Sequence, residues 1–128
     1  MKAISVKQPW ANMIASGRKT IETRVWATDY RGRLLIVSSK TPHIPPAGCA
    51  VAVAELVECR PMVKEDEPAA CCPVYPKAVA WVLRNVRAVR PFPVRGRLGL
   101  YEVADAAVPA AIMPRNPQSQ VEHELPPS

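Results

Sequence analysis

The spacing of apolar residues changes from two to three-and-four and back to two within the first 26 positions. Ile4 and Val6 alternate with Ser5 and Lys7, so Lys2 to Val6 reads as a short strand. Gln8-Pro9-Trp10 breaks it, and Pro9 suits the first turn of a helix, where its missing N–H costs nothing. The helix is predicted to run to about Ser16, with Trp10, Met13 and Ile14 on one face and Gly17 as its stop. Lys19 to Trp26 is rich in Thr, Ile and Val and reads as a strand. Its alternation sends Ile21, Thr23 and Val25 one way and Thr20, Glu22, Arg24 and Trp26 the other.

Beyond a turn at Asp29-Tyr30-Arg31-Gly32, the run Arg33 to Ser39 predicts a strong strand, followed by a Pro-rich loop from Thr41 to Gly48. Cys49 to Cys59 is a strand of small apolar residues suited to a tight barrel interior. Glu65 to Lys77, with several acids and prolines, reads as an irregular loop with little regular helix. Ala78 to Val89 reads as a strand with a turn near Arg84-Asn85, and Leu98 to Val103 as the last strand. The chain after Val108 has no apolar periodicity, so the folded domain is expected to span residues 1–108, with 109–128 a tail, loose from Pro114 to Ser128. The fold class predicted is mainly β with few helices: a small closed or half-closed barrel of about six strands, the front helix flanking a cleft. A barrel this small fills its interior with side chains, so a ligand must use the rim or that cleft.

Composition adds a charge argument. The 128 residues carry 17 Lys and Arg against 11 Asp and Glu, a formal +6. From Asp105 onward the one base is Arg115, against Asp105, Glu122 and Glu124, so the positive excess gathers in the first 104 residues. A compact body of that sign favours an anionic partner, of which nucleic acid is the commonest; solubility alone is the plainer reading. No apolar stretch approaches the ~20 residues of a membrane span. The start Met-Lys-Ala-Ile-Ser-Val-Lys is charged too early for a signal peptide, and a cytoplasmic location is expected. Cys49, Cys59, Cys71 and Cys72 are then expected as free thiols. Without paired-ligand spacing among the cysteines, His43 and His123, no zinc site is expected. Without a Walker loop or a G-x-G-x-x-G run, no nucleotide cofactor is implied.

The candidate chemistry lies between Lys7 and Lys40. One helix and two strands there carry Lys7, Gln8, Trp10, Lys19, Glu22, Arg24, Trp26, Tyr30, Arg31, Ser38, Ser39 and Lys40. Bases neutralise phosphates and aromatic faces stack bases, so the interleaving suits RNA or another single strand. Plainer roles stand beside this one. Trp10 and Trp26 fit a core, Glu22 and Arg24 a structural salt bridge, and Tyr30 and Arg31 a turn cap. Arg84, Arg87, Arg90, Arg95 and Arg97 fit either an extended anionic footprint or a dispersed solvated face. Glu55, if it faces inward, must be paired with a base.

An ordered run of motifs resembles the ASCH domain family: Gln8-Pro9-Trp10-Ala11, Gly17-x-Lys19, Glu22-x-Arg24-x-Trp26, Tyr30-Arg31-Gly32-x-Leu34-x-Ile36, Gly48-Cys49, Val57-x-Cys59 and Pro93-x-Arg95-Gly96. The resemblance covers roughly residues 3 to 105. It implies a PUA-like β-barrel that binds RNA in a cleft beside the front helix, lined by Lys19, Glu22, Arg24 and Ser38-Ser39-Lys40. It also implies an alternative, since some small bacterial relatives are hydrolases: one group deacetylates N4-acetylcytidine and another is a ribonuclease. The first group uses a Lys, a Thr three residues later and a distant Glu. Lys19 matches the Lys, but Glu22 stands where the Thr belongs, flanked by Thr20 and Thr23, and Glu65 and Glu67 lie in a loop that differs from the family's. As an enzyme, the chain would use Lys19 and Glu22 as its catalytic pair on a modified nucleoside. A neighbouring Glu favours the charged form of a Lys and so opposes its use as a nucleophile.

Overall fold

The computed structural model describes residues 1–114. Its strands are β1 (Lys2–Val6), β2 (Ile21–Arg24), β3 (Gly32–Ser38), β4 (Cys49–Pro61), β5 (Val79–Pro93) and β6 (Tyr101–Glu102). Three short helices accompany them: α1 (Trp10–Ala15), α2 (Glu67–Ala70) and α3 (Val108–Ala111). Single 3₁₀ turns at Lys64–Asp66 and Asp105–Ala107 lead into α2 and α3. Among the described residues, no helix is long and apolar enough to cross a membrane.

The strands form one mixed sheet in the order β2-β5-β4-β3-β1-β6. β1 runs parallel to β3, with Ile4 opposite Ile36; the other pairings are antiparallel. The central strand explains its own sequence. Leu34 and Ile36 point to one core, with Ile4, Ala54, Leu56, Trp81 and Leu83, which α1 covers through Ala11 and Ile14. Leu35 and Val37 point to the other, with Ala3, Val53, Val89, Tyr101 and Val108. A strand buried on both faces needs a continuous apolar run rather than alternation. A third cluster, Ile21, Met62, Ala70, Ala78 and Ala80, sits where β2 meets the ends of β4 and β5.

Of the closed and half-closed forms expected, the sheet takes the open one and does not close into a barrel. β2 and β6 each have one strand neighbour among the described residues, and they lie at opposite ends of the strand order. Four residues of β2 and two of β6 are too few to form a seam. Three register shifts in the β4–β5 pair bend the sheet without bringing its edges together. The turn expected at Arg84-Asn85 is one of these shifts: β5 continues through it, with Asn85 at φ 52° as the extra residue. The last strand is also shorter than expected, beginning at Tyr101 with Leu98 left in solvent. Segment Glu65 to Lys77, expected to hold little regular helix, contains only the four-residue α2.

The first residues of the expected tail, 109–113, pack on the domain. Val108 is fully buried, Val89 bridges Ile112, and the Met113 N–H donates to Ala88 O at 2.9 Å. α3 therefore lies across the expected boundary at residue 108. The rest of the expected tail, residues 115–128, lies outside the described residues.

Candidate functional site

The gap left by the unclosed sheet is a cleft of about 460 Å³. β1 and the residue after it supply Ser5, Val6 and Lys7 to its walls, β2 supplies Glu22, Thr23 and Arg24, and the segment before β6 supplies Arg97, Leu98 and Gly99. Trp10 at the start of α1, and Cys72 and Tyr75 after α2, complete the mouth.

A buried charge cluster forms the floor. Lys19 is only 1% exposed and Glu22 7%. Lys19 Nζ donates to Ala70 O and lies 3.6 Å from Glu22 Oε1. That same Oε1 accepts the Thr23 N–H at 3.0 Å, and Oε2 lies 3.1 Å from Arg24 Nη2. Arg24 Nη2 also donates to Ser5 O at 2.6 Å, so one guanidinium ties β2 to β1 across the gap where strand pairing is missing. Arg24 Nε is buried and has no hydrogen-bond partner. One carboxylate thus serves two cations, leaving the floor with one positive charge and one unused donor. Beside it, Ser5 Oγ and Tyr101 OH are hydrogen-bonded at 2.8 Å. Burial pushes the Tyr101 phenol up, opposed by the Ser5 hydrogen bond and the Arg24 charge.

The sequence-predicted residues divide into four sets. Lys7, Trp10, Lys19, Glu22, Arg24 and Ser39 all line the cleft. Trp10 is 37% exposed and does not take the core role that stood as its alternative, because α1 turns Ala11 and Ile14 inward and leaves Trp10 at the edge of that face. Ser38 and Lys40 line an adjoining cleft, described below. Gln8 is buried as a structural clamp: its Nε2 donates to Asn12 Oδ1 and Ser38 Oγ, and its Oε1 accepts the Asn12 N–H. Trp26, Tyr30 and Arg31 fall outside the cleft. Trp26 packs edge-on against Trp81, with ring centroids 4.9 Å apart, and its carbonyl accepts the Trp81 indole N–H. Tyr30 OH donates to Arg33 O, and Arg31 donates to the Thr28 and Tyr30 carbonyls, so both fasten the turn before β3.

Sequence reasoning missed Ser5, Thr23, Cys72, Tyr75 and Leu98 and left Arg97 in a dispersed set. Tyr75 carries no local signal. It reaches the mouth because the segment after α2 is held over β2, with Thr20 N–H donating to Ala69 O and Thr23 Oγ1 lying 3.9 Å from Cys72 Sγ. The four cysteines are unpaired. Glu55 is exposed and poses no burial problem. Among the described residues, no group of three or more His, Cys, Asp or Glu is placed to hold a metal ion.

Comparison with known proteins agrees with this architecture. Activating signal cointegrator 1 of Homo sapiens is 29% identical across 44% of this chain, and that of Mus musculus 28% identical across the same share. The chain spans 14% of the length of these relatives. Among solved structures, ASCH from Zymomonas mobilis superposes with a TM-score of 0.64 at 18% identity, covering 81% of this chain and 87% of that one. A tyrosine-to-phenylalanine mutant of the same protein gives 0.61 at 17% identity, covering 81% and 90%. At such identities the superpositions speak for the fold alone. The ASCH domain family model matches residues 4–93, most of the described chain and all of the cleft lining except the Arg97–Gly99 segment, and the chain belongs to that family.

Proposed function

We propose that this chain binds RNA or another single-stranded nucleic acid, holding one base in the cleft between Trp10 and Tyr75. The observation that carries the reading is the pairing of two part-exposed aromatics with a polar floor in a space of about 460 Å³. The aromatics supply stacking, worth ~1–3 kcal/mol per base. Glu22 supplies an acceptor for a base edge at the cleft floor. Lys7 and Arg97 stand at the rim, where a phosphate approaches without desolvating the floor.

The Lys19 geometry favours recognition over amide hydrolysis. Its Nζ lies 3.6 Å from Glu22 Oε1 and donates to the Ala70 carbonyl, so it is held by structural contacts rather than aimed at a substrate carbonyl. Incubation with N4-acetylcytidine is expected to release no cytidine, and turnover would restore the hydrolase reading.

The direct test is fluorescence anisotropy with a labelled mixed-sequence single-stranded RNA. Affinity is expected to fall steeply as salt rises from about 50 to 200 mM, as released counterions require. Trp10→Ala is expected to weaken binding by about tenfold, the loss of ~1.4 kcal/mol of stacking. An affinity indifferent to both salt and Trp10 would refute the proposal.

A further inference from the structure

A second cleft of about 460 Å³ adjoins the first, and its chemistry is different. The two share Ser5, Ser39, Arg97 and Leu98. The first contains the Glu22 carboxylate, whereas the lining of the second contains no acid and three cations: Lys40, Arg95 and Arg97. All three are exposed, and among the described residues none is in a salt bridge. The Lys40 stem is packed over Gly48: a Cβ built on that glycine meets Lys40 carbons at 3.1 and 3.2 Å, and the residue sits at φ +71°. A side chain at position 48 therefore faces both backbone strain and a clash with Lys40. Gly96 approaches Ser5 Oγ as closely, since a Cβ there comes within 3.2 Å of it. None of the peptide N–H groups from Arg95 to Gly99 donates to a backbone carbonyl among the described residues. Leu98, 99% exposed, marks the ridge between the two clefts.

We infer that the second cleft is a phosphate subsite, and that it takes the backbone phosphate next to the nucleotide whose base occupies the first. This rests on the nucleic-acid reading above and deepens it: the ligand is a strand, not a free nucleoside. Three exposed cations, serine hydroxyls and unused peptide donors with no carboxylate among them suit a phosphodiester and oppose a base-reading role. Arg97 lines both clefts and so contacts the link between base and phosphate.

The test measures how RNA affinity varies with salt in the full chain and in Lys40→Met/Arg95→Gln, which keeps the Lys40 stem over Gly48. The salt slope of the variant is expected to be shallower by about 0.7, the loss of one phosphate contact on a single strand. Arg33→Ala, at the far end of β3, is expected to leave the slope unchanged. An unchanged slope in the double variant, with RNA still bound and Trp10 still required, overturns the subsite and leaves the proposed function standing. If the unaltered chain does not bind RNA at about 50 mM salt, the proposed function falls and the subsite with it. Inorganic phosphate is expected to displace RNA no better than chloride at equal ionic strength. Specific displacement by phosphate overturns the assignment to a strand in favour of a free anion.

Discussion

Lys19, Glu22 and Arg24 sit two or three residues apart and are unequal in what their removal exposes. Glu22 is the common partner: it lies 3.6 Å from Lys19 Nζ and 3.1 Å from Arg24 Nη2. Glu22→Ala leaves a buried ammonium with one carbonyl acceptor and is expected to cost about 3–5 kcal/mol, as for other buried pairs broken on one side. Lys19→Met removes the charge itself, keeps much of the volume and leaves Glu22 paired with Arg24. Its expected cost is smaller, about 1–2 kcal/mol, chiefly for the unsatisfied Ala70 carbonyl. Urea denaturation of both variants checks the order, and an equal or reversed order contradicts the placing of Glu22 at the centre of the cluster. The sequence carried this cluster legibly, because strand alternation puts positions 22 and 24 on one face. It did not distinguish Trp10 from Trp26. The two are alike as residues, and what separates them is the rotation of α1 about Ala11 and Ile14 and the docking of Trp26 on Trp81, a residue 55 positions away.

At the scale of elements, the segment that carries Cys72 and Tyr75 to the cleft is anchored by Asp66. Arg60 on β4 grips its carboxylate with two hydrogen bonds of 2.7 and 2.8 Å, and the Val63 N–H adds a third at 2.9 Å. The Arg60 guanidinium, with the Val63 amide, lowers the Asp66 carboxyl from 3.8 to about 2. A carboxyl depressed in the folded state contributes stability that is complete above its unfolded pKa and is lost as pH falls through the folded one. The contribution is therefore expected to be complete above about pH 5 and to disappear between about pH 4 and pH 2. Asp66→Asn should unfold at a lower temperature than the unaltered chain at pH 7, with the difference closing as the buffer is taken towards pH 2. A difference that persists unchanged at pH 2 would show that ionisation of Asp66 is not what anchors the segment. Pattern reading foresaw most of these strands but not this anchor, which depends on side chains meeting across a turn in a stretch without periodicity. The Arg84-Asn85 signal was real and local: it marked a φ-positive residue, and only the partner strand decides whether such a residue turns the chain or bulges within a strand.

The molecule as a whole is a sheet buried on both faces, and closure is the property its sequence left open. Whether six strands form a barrel depends on pairing between β2 and β6, whose residues lie some 80 positions apart and carry no mark of a missing partner. The cleft exists because that pairing is absent, so the step from sequence to function ran through the least legible feature of the fold. The second face has a consequence of its own. Val108 is fully buried against Val89 and Tyr101, and with Ile112 it covers the side of β3 opposite α1. If 108–113 belongs to the cooperative unit, Val108→Ala weakens everything, including the opposite core that contains Trp26 and Trp81. Loss of two buried methyl groups is expected to cost about 2 kcal/mol. Those indoles lie across the sheet from Val108, so their fluorescence reports its loss only through global unfolding. The urea midpoint read by tryptophan should fall together with the midpoint read by far-ultraviolet circular dichroism. A midpoint unmoved by the substitution would mean that the segment docks on an already complete domain, and would place the boundary before residue 108.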